Sequence, residues 1–351
     1  MPAGVLSEAY ARLHRSGPEW GEDQLTNHGP MAVEVMIRRG YAAQVDRWVD
    51  RYRSRLDDLP GSTSAIGERD WPEALGDGRR VADWTAYFTR QLAAAPWRDV
   101  LATWWPRLLP GVLAGTTHGV IRVGHAVRAL LAGAENPETL HELAHGLAFW
   151  AARYQSVPAS AHPAGHLDPG TALDALGRIP VQNGRVAERL GQLGDLPGWP
   201  AGVAALRPAT GPEQVSARLA DLVTAATVRY LAHGHASPVL LVHTATAPNA
   251  VLHTLPALPR DLWVPSLTAM WTTAAAITAA YAPPAGPMTS RVTDVPEGPD
   301  AAADVVDRAM RHGDEHVIKF TDTAAEVYTR TGNRDALAAA VHITTLIDPV
   351  G

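Results

Sequence analysis

The chain of 351 residues has no cysteine. That excludes disulfides, thiolate nucleophiles, sulfur-ligated zinc and iron–sulfur clusters together. Lysine is almost as scarce: of 30 basic residues, one is lysine, Lys319, and the rest are arginine. Basic excess is missing too. The formal net charge of -6 argues against a nucleic-acid partner held through a cationic surface. The start of the chain, Met1 to Arg15, lacks a basic segment followed by an apolar run, so it reads as a short amphipathic helix rather than a signal peptide. Its most apolar stretch, Leu262 to Ala282, is Ala-rich and interrupted by six Ser, Thr or Pro positions. A membrane span needs roughly 20 mainly apolar residues, so a buried helix, no membrane partner and a cytoplasmic setting are expected. No GxGxxG follows a strand pattern and no GxxxxGK[ST] occurs. Nothing therefore supports NADPH or another nucleotide cofactor.

Helical periodicity dominates what is there. Pro30 opens and Gly40 closes a segment over Met31–Arg39. Tyr41–Leu59 follows, with Val45, Trp48, Val49, Tyr52 and Leu56 at helical spacing. Further helices are predicted over Arg80–Ala94, Trp97–Leu113, Gly119–Ala132, Pro137–Tyr154, Pro212–Ala232, Pro265–Tyr281, Ala301–Arg311, Asp314–Thr331 and Arg334–Leu346. Pro238–His243 is the nearest thing to a strand. The expected fold is all-α, a multi-helix, bundle-like single domain over residues 1–351. Between Pro158 and Pro212 eight prolines and nine glycines fall in 55 residues, the texture of a long loop or an inter-lobe segment. Leu173, Leu176, Ile179, Val186, Leu190 and Leu193 recur inside it, so it is not read as disordered.

The single lysine carries an inference. A high-GC coding bias replaces lysine with arginine wherever only charge is needed. It does not explain why Lys319 stays. A buried lysine can lose its proton and act as a nucleophile or ligand, whereas arginine cannot.

With no cysteine, the 15 histidines are the obvious metal ligands. His14, His162, His166, His233 and His235 lie in polar or loop contexts and read as solvated. His253 and His342 have apolar helical neighbours, and His312 precedes Gly313 at a helix end. His141-Glu142-Leu143-Ala144-His145 matches HExxH, which would put zinc on both imidazoles. Neither a strand scaffold nor a downstream third ligand accompanies it, so it ranks below the remaining cluster as a metal site. That cluster comprises His28 at the mouth of a helix, His118, Arg122 and His125 on one helical face, His243 after an apolar run, and His316 with Lys319 at i,i+3.

Four of these segments occur in one order: Asn27-His28-Gly29-Pro30-Met31, His118-Gly119-Val120-Ile121-Arg122 with His125-Ala126, Leu241-Val242-His243-Thr244-Ala245-Thr246, and His316-Val317-Ile318-Lys319. In order and spacing they resemble the questin oxidase-like family, from about residue 20 to near the C-terminus. The resemblance implies an all-helical oxygenase of anthraquinone-type aromatic polyketides. It also implies non-haem iron in the interior, held by histidines and a carboxylated lysine. Carried over residue by residue, the ligands are His28, His118, His243, His316 and Lys319. The chain departs from the family pattern at His125, where an aromatic residue is common. His125 is then a ligand, a support for one, or an acid/base for the substrate.

The chemistry is intelligible on its own terms. A neutral lysine amine adds CO2 to give a carbamate, provided its surroundings depress its pKa. Four imidazoles and one carbamate offer Fe(II) five donors and leave one position open. The lysine then stands in for the carboxylate of the more familiar two-histidine triad. The leading expectation is an oxidoreductase, an O2-dependent non-haem iron oxygenase cleaving a ring C–C bond with a dioxygenase or Baeyer–Villiger-type outcome. Its partners are a small aromatic molecule and O2. Arg122 and His125 are the expected catalytic residues, with Arg122 orienting an anionic substrate oxygen or the carbamate. Trp84, Trp104, Trp105 and Trp271 are candidates for a flat aromatic wall. The alternatives are a metal-dependent hydrolase with a carbamylated lysine and a non-catalytic helical binding protein.

Overall fold

Helices form at nearly every position where the 3.6-residue pattern predicts one, in a computed structural model that describes residues 3–19, 26–159, 161–283 and 292–350. The fold is all-α, as expected, and the described strands are one short antiparallel pair, Ser16–Glu19 with Leu56–Asp58. That pair lies where one long helix was predicted. Tyr41–Leu59 instead gives a 3-10 turn at Ala42–Gln44, the α-helix Val45–Tyr52, a second 3-10 turn at Arg53–Arg55, and the strand. Leu56 begins an extended backbone that pairs across the sheet, so tertiary pairing overrides the local apolar spacing.

Contacts within the chain divide it into two compact units: Met1–Ser156 with His253–Leu262, and Val157–Leu252 with Trp263–Gly351. The first unit contains the helices Ala3–Leu13, Gly29–Arg38, Val45–Tyr52, Val81–Ala94, Trp97–Leu108, His118–Leu131 and Pro137–Ala152. The last two pack on each other through glycine. A Cβ on Gly119 would stand 2.6 Å from the Cβ of Trp150, and one on Gly146 would stand 3.1 Å from the backbone nitrogen of Val123. Only hydrogen fits at Gly119, and a Cβ at Gly146 would press on the Val123 backbone. Asn136 caps the second helix, its side chain accepting from the Thr139 N–H, with Pro137 at the first helical position.

The second unit contains Val215–His233, Trp263–Tyr281, Ala301–His312, Glu315–Thr331 and Arg334–Leu346 among its longer helices. From Met270 to Tyr281 every residue is buried. No helix among the described residues is long and apolar enough to cross a membrane. Pro238–His243 is not a strand: Pro238–Leu241 is one helical turn, and a helix runs from His243 to Thr254. Within 158–212 lie the short helices Pro169–Asp174, Val186–Gly191 and Trp199–Ala204. They bury Leu173, Leu190, Trp199 and Val203, and the 3-10 turn Gln192–Asp195 buries Leu193.

The four tryptophans proposed as a substrate wall are core residues, each 1% exposed or less. Trp84 and Trp104 pack edge-on to each other with Tyr87 and Phe88. Trp105 meets Trp150 edge-on. Trp271 donates its indole N–H to the Val203 carbonyl at 2.8 Å.

Candidate metal and ligand sites

In the first unit His28 and His118 face each other nitrogen to nitrogen. Their Nε2 atoms are 2.7 Å apart, and the rings meet at 84°. Both residues are buried. His28 enters the Gly29–Arg38 helix just before Pro30, and its backbone N–H donates to the Tyr52 hydroxyl at 2.6 Å. Asn27 secures the entry by donating to the Leu13 carbonyl and accepting from the Gly29 N–H. His118 opens its helix after three residues with positive φ, Gly115, Thr116 and Thr117. Two of these are not glycine, so the turn is strained. It brings the Gly115 carbonyl onto His118 Nδ1. An N–H at Nδ1 then leaves the lone pair on Nε2, the tautomer a metal requires. Two lone pairs facing at this distance repel unless a proton or a cation lies between them. Either a proton on one Nε2, making an N–H···N hydrogen bond, or a metal ion closes the pair.

Two buried carboxylates organise the same helix. Glu142 accepts from Arg122 Nε at 2.5 Å and Nη2 at 2.8 Å, and its Oε2 lies 2.8 Å from His14 Nε2. Burial pushes the Glu142 carboxyl upward, but Arg122 and His14 together outweigh it and the pKa is lowered. HExxH is therefore not a zinc site: Glu142 is committed to Arg122, and His141 points to solvent. His145 stacks on His14, with centroids 4.6 Å apart. Burial, then the neighbouring His14 and Arg122, hold its pKa well below the usual value. Glu34, fully buried, accepts from Arg128 Nε at 3.0 Å and lies 2.8 Å from His125 Nδ1. Burial opposes its ionisation, yet Arg128 and the His125 hydrogen bond bring its pKa down to about 2. Arg128 also reaches His253 Nδ1 at 3.4 Å. The structure thus gives His125 a carboxylate partner, Glu34, and gives Arg122 an ion pair with Glu142.

The second unit holds the remaining predicted ligands. Asp314 caps the Glu315–Thr331 helix by accepting from the backbone of His316 and Val317. The cap fixes the first turn, where His316 stands, and Lys319 follows one turn on, 3% exposed. His243 begins its own helix, and its ring centroid is 6.2 Å from that of His316. Asp314, Glu315 and His316 form a buried group whose ligand atoms lie within 4.8 Å of one another. His316 Nδ1 is 3.5 Å from Glu315 Oε1. Burial and the adjacent Glu315 raise the Asp314 carboxyl to about 6.

Sequence reasoning missed Glu34, Glu142 as a structural anion, Glu315 and His14. Glu34 had a signal, a lone acid inside the apolar run Met31–Ile37. His14 and His233 were read as solvated, yet His14 packs against Glu142, and His233 is buried beside Arg229 at 3.2 Å.

A helical fold with buried imidazole and carboxylate donors defines a protein equipped to hold a metal ion. Residues 32–180 match the questin oxidase-like family, the one its motifs resemble. His118, Arg122 and His125 lie inside the matched span, whereas His28, His243, His316 and Lys319 lie outside it. No curated protein matches the chain.

Proposed function

We propose that the protein is a non-haem iron oxygenase that cleaves a ring carbon–carbon bond of a polycyclic aromatic polyketide. Its ligands are His28, His118, His243, His316 and a carboxylated Lys319, and its setting is secondary metabolism in the cytoplasm. The observation that carries the reading is the His28–His118 pair, two buried Nε2 atoms 2.7 Å apart with His118 Nδ1 held by a carbonyl. The match to an oxidase-like family over residues 32–180 supports the oxidative chemistry. When bound, iron supplies the redox chemistry that couples O2 to the ring. The residues do the rest. Lys319 is buried, and its amine, when neutral, can take up CO2 and release a proton. Glu34 holds His125 in one orientation, ready to exchange a proton with the substrate. Arg122, fixed by Glu142, orients an anionic substrate oxygen.

Iron analysis of the full chain purified without chelator, with and without bicarbonate, tests the site. His28→Ala, His118→Ala, His243→Ala and His316→Ala should each lose most of the iron while helical content stays near wild type. Lys319→Arg keeps the charge but cannot carry the carboxylate, so it should abolish tight iron binding. Full iron loading and full oxygen consumption with a dihydroxyanthraquinone in Lys319→Arg overturn the reading. One observation favours a second reading, a metal-dependent hydrolase: the carboxylates of Asp314 and Glu315 beside His316. Oxygen consumption separates the two.

A further inference from the structure

We propose that a small cavity in the second unit is a binding site for one singly charged inorganic anion, of the size of chloride or bicarbonate. The cavity measures about 20 Å³, room for one small ion or water. Leu173 of the Pro169–Asp174 helix, Ala226, Arg229 and His233 of Val215–His233, and Thr278 of Trp263–Tyr281 meet around it. Arg229 and His233 stand one turn apart on the same helical face. Tyr230 and Thr244 also line it, but their hydroxyls already donate to the Pro238 and Leu241 carbonyls. No carboxylate is among the described lining residues.

The donors here outnumber the acceptors. Arg229 Nη2 lies 3.2 Å from His233 Nε2, and a guanidinium only donates, so Nε2 accepts. The proton of the neutral imidazole is therefore on Nδ1. His233 is 9% exposed, and its Nδ1 has no hydrogen-bond partner among the described residues. Burial, then Arg229, Arg178 and His235, lower the His233 pKa to about 4, and none of these neighbours is an acid. Arg178 donates through Nη1 to the Leu176 carbonyl at 2.6 Å, while its Nε is buried with no acceptor among the described residues. Burial lowers the pKa of both arginines, Arg229 to about 10. Asp174 pairs with Arg229, but its side chain is 65% exposed against 14% for the arginine, so water screens the acid more than the cation. Asp314 acts on the Tyr230 hydroxyl and is committed to its helix cap. Two guanidinium groups against Asp174 leave one positive charge. A water would satisfy the donors and leave that charge uncompensated, whereas one monoanion does both. A doubly charged phosphate or sulfate exceeds the charge to be balanced.

The site is independent of the iron reading, and its test keeps the two apart. Chloride NMR linewidths are measured on the full chain with chelator present, because chloride exchanging with a protein site gives a broader line than free chloride. The wild type should broaden the line saturably at constant ionic strength, and bicarbonate should narrow it by competition. Bicarbonate that competes at a lower concentration than chloride identifies bicarbonate as the occupant, and the reverse identifies chloride. Arg229→Gln should weaken chloride binding about tenfold, as expected for losing a charge-assisted hydrogen bond. Arg178→Gln, which lowers the local charge, should weaken it too. Ala226→Leu fills the cavity and keeps both arginines, so it should abolish the broadening with helical content unchanged. Lys319→Arg should leave anion binding as it is in the wild type. Broadening that survives both Arg229→Gln and Ala226→Leu overturns the proposal by placing the anion elsewhere. Loss of anion binding in Lys319→Arg overturns it by moving the anion to that lysine. A chain that neither broadens the chloride line nor gains thermal stability from bicarbonate also overturns it, and the iron reading then stands untouched.

Discussion

Replacing Glu34 with Gln tests whether its buried carboxylate holds the first unit together. Glu34 is fully buried, and Arg128 and His125 both bond it. Its pKa falls from 4.5 to about 2 on folding. A folded-state pKa below the unfolded one means that the charged carboxylate stabilises the fold above the unfolded value. That contribution is lost as pH falls from 4.5 towards about 2. A depression of about 2.5 units corresponds to about 3 kcal/mol near neutral pH. At about pH 3 roughly half of that remains, and below about pH 2 almost none. Glu34→Gln resembles the protonated form in shape and charge. It also leaves the largely buried Arg128 guanidinium without its anion. The variant should therefore be less stable than wild type by about 3 kcal/mol near neutral pH, with the gap closing steadily in acid. Urea unfolding followed by helical circular dichroism at several pH values measures the gap. A difference that stays constant from neutral pH to about pH 3 refutes the reasoning, because it would arise from packing and not from charge.

Two further changes probe how the histidine-bearing helices are placed. Gly119→Ala puts a Cβ 2.6 Å from the Trp150 Cβ, so it should destabilise by about 1–3 kcal/mol despite alanine's better helix propensity; a more stable variant in thermal unfolding would show that the two helices can separate freely. Asp314→Ala removes the cap of the helix that carries His316 and Lys319 and should cost about 1 kcal/mol. Asp314→Asn, which keeps a side-chain acceptor, should cost clearly less in the same denaturant titration, and equal losses would remove the cap as the cause.

Much of the helical plan was legible because local rules act over a few residues. Asn136-Pro137, Asp314 and Gly332 mark helix ends through their own side chains or backbone freedom, and the structure ends helices there. The motif around His118 was legible as a helical face, since residues at i and i+4 must share one. Glu34 was harder to place. Nothing local says which cation a buried acid will meet, and Arg128 is 94 residues away. The HExxH run, ranked below the other histidines from its local setting, shows the same limit. Its spacing is that of a zinc motif, but Arg122, 20 residues earlier, reached Glu142 and took both its oxygens.

The order of residues alone determined that the chain is helical, that its chemistry cannot use a thiol, and that one lysine stands a turn beyond a histidine. These follow from composition and from spacing along a single helix. Only the tertiary structure decided that Leu56 pairs in a sheet instead of continuing a helix, and that Trp84, Trp104, Trp105 and Trp271 fill core. It alone brought two Nε2 atoms 90 residues apart to hydrogen-bonding distance. The reason is physical. Backbone propensity is spent within a turn or two, whereas the partner of a buried charge or imidazole is chosen by which surfaces pack, and packing joins residues that the sequence holds far apart.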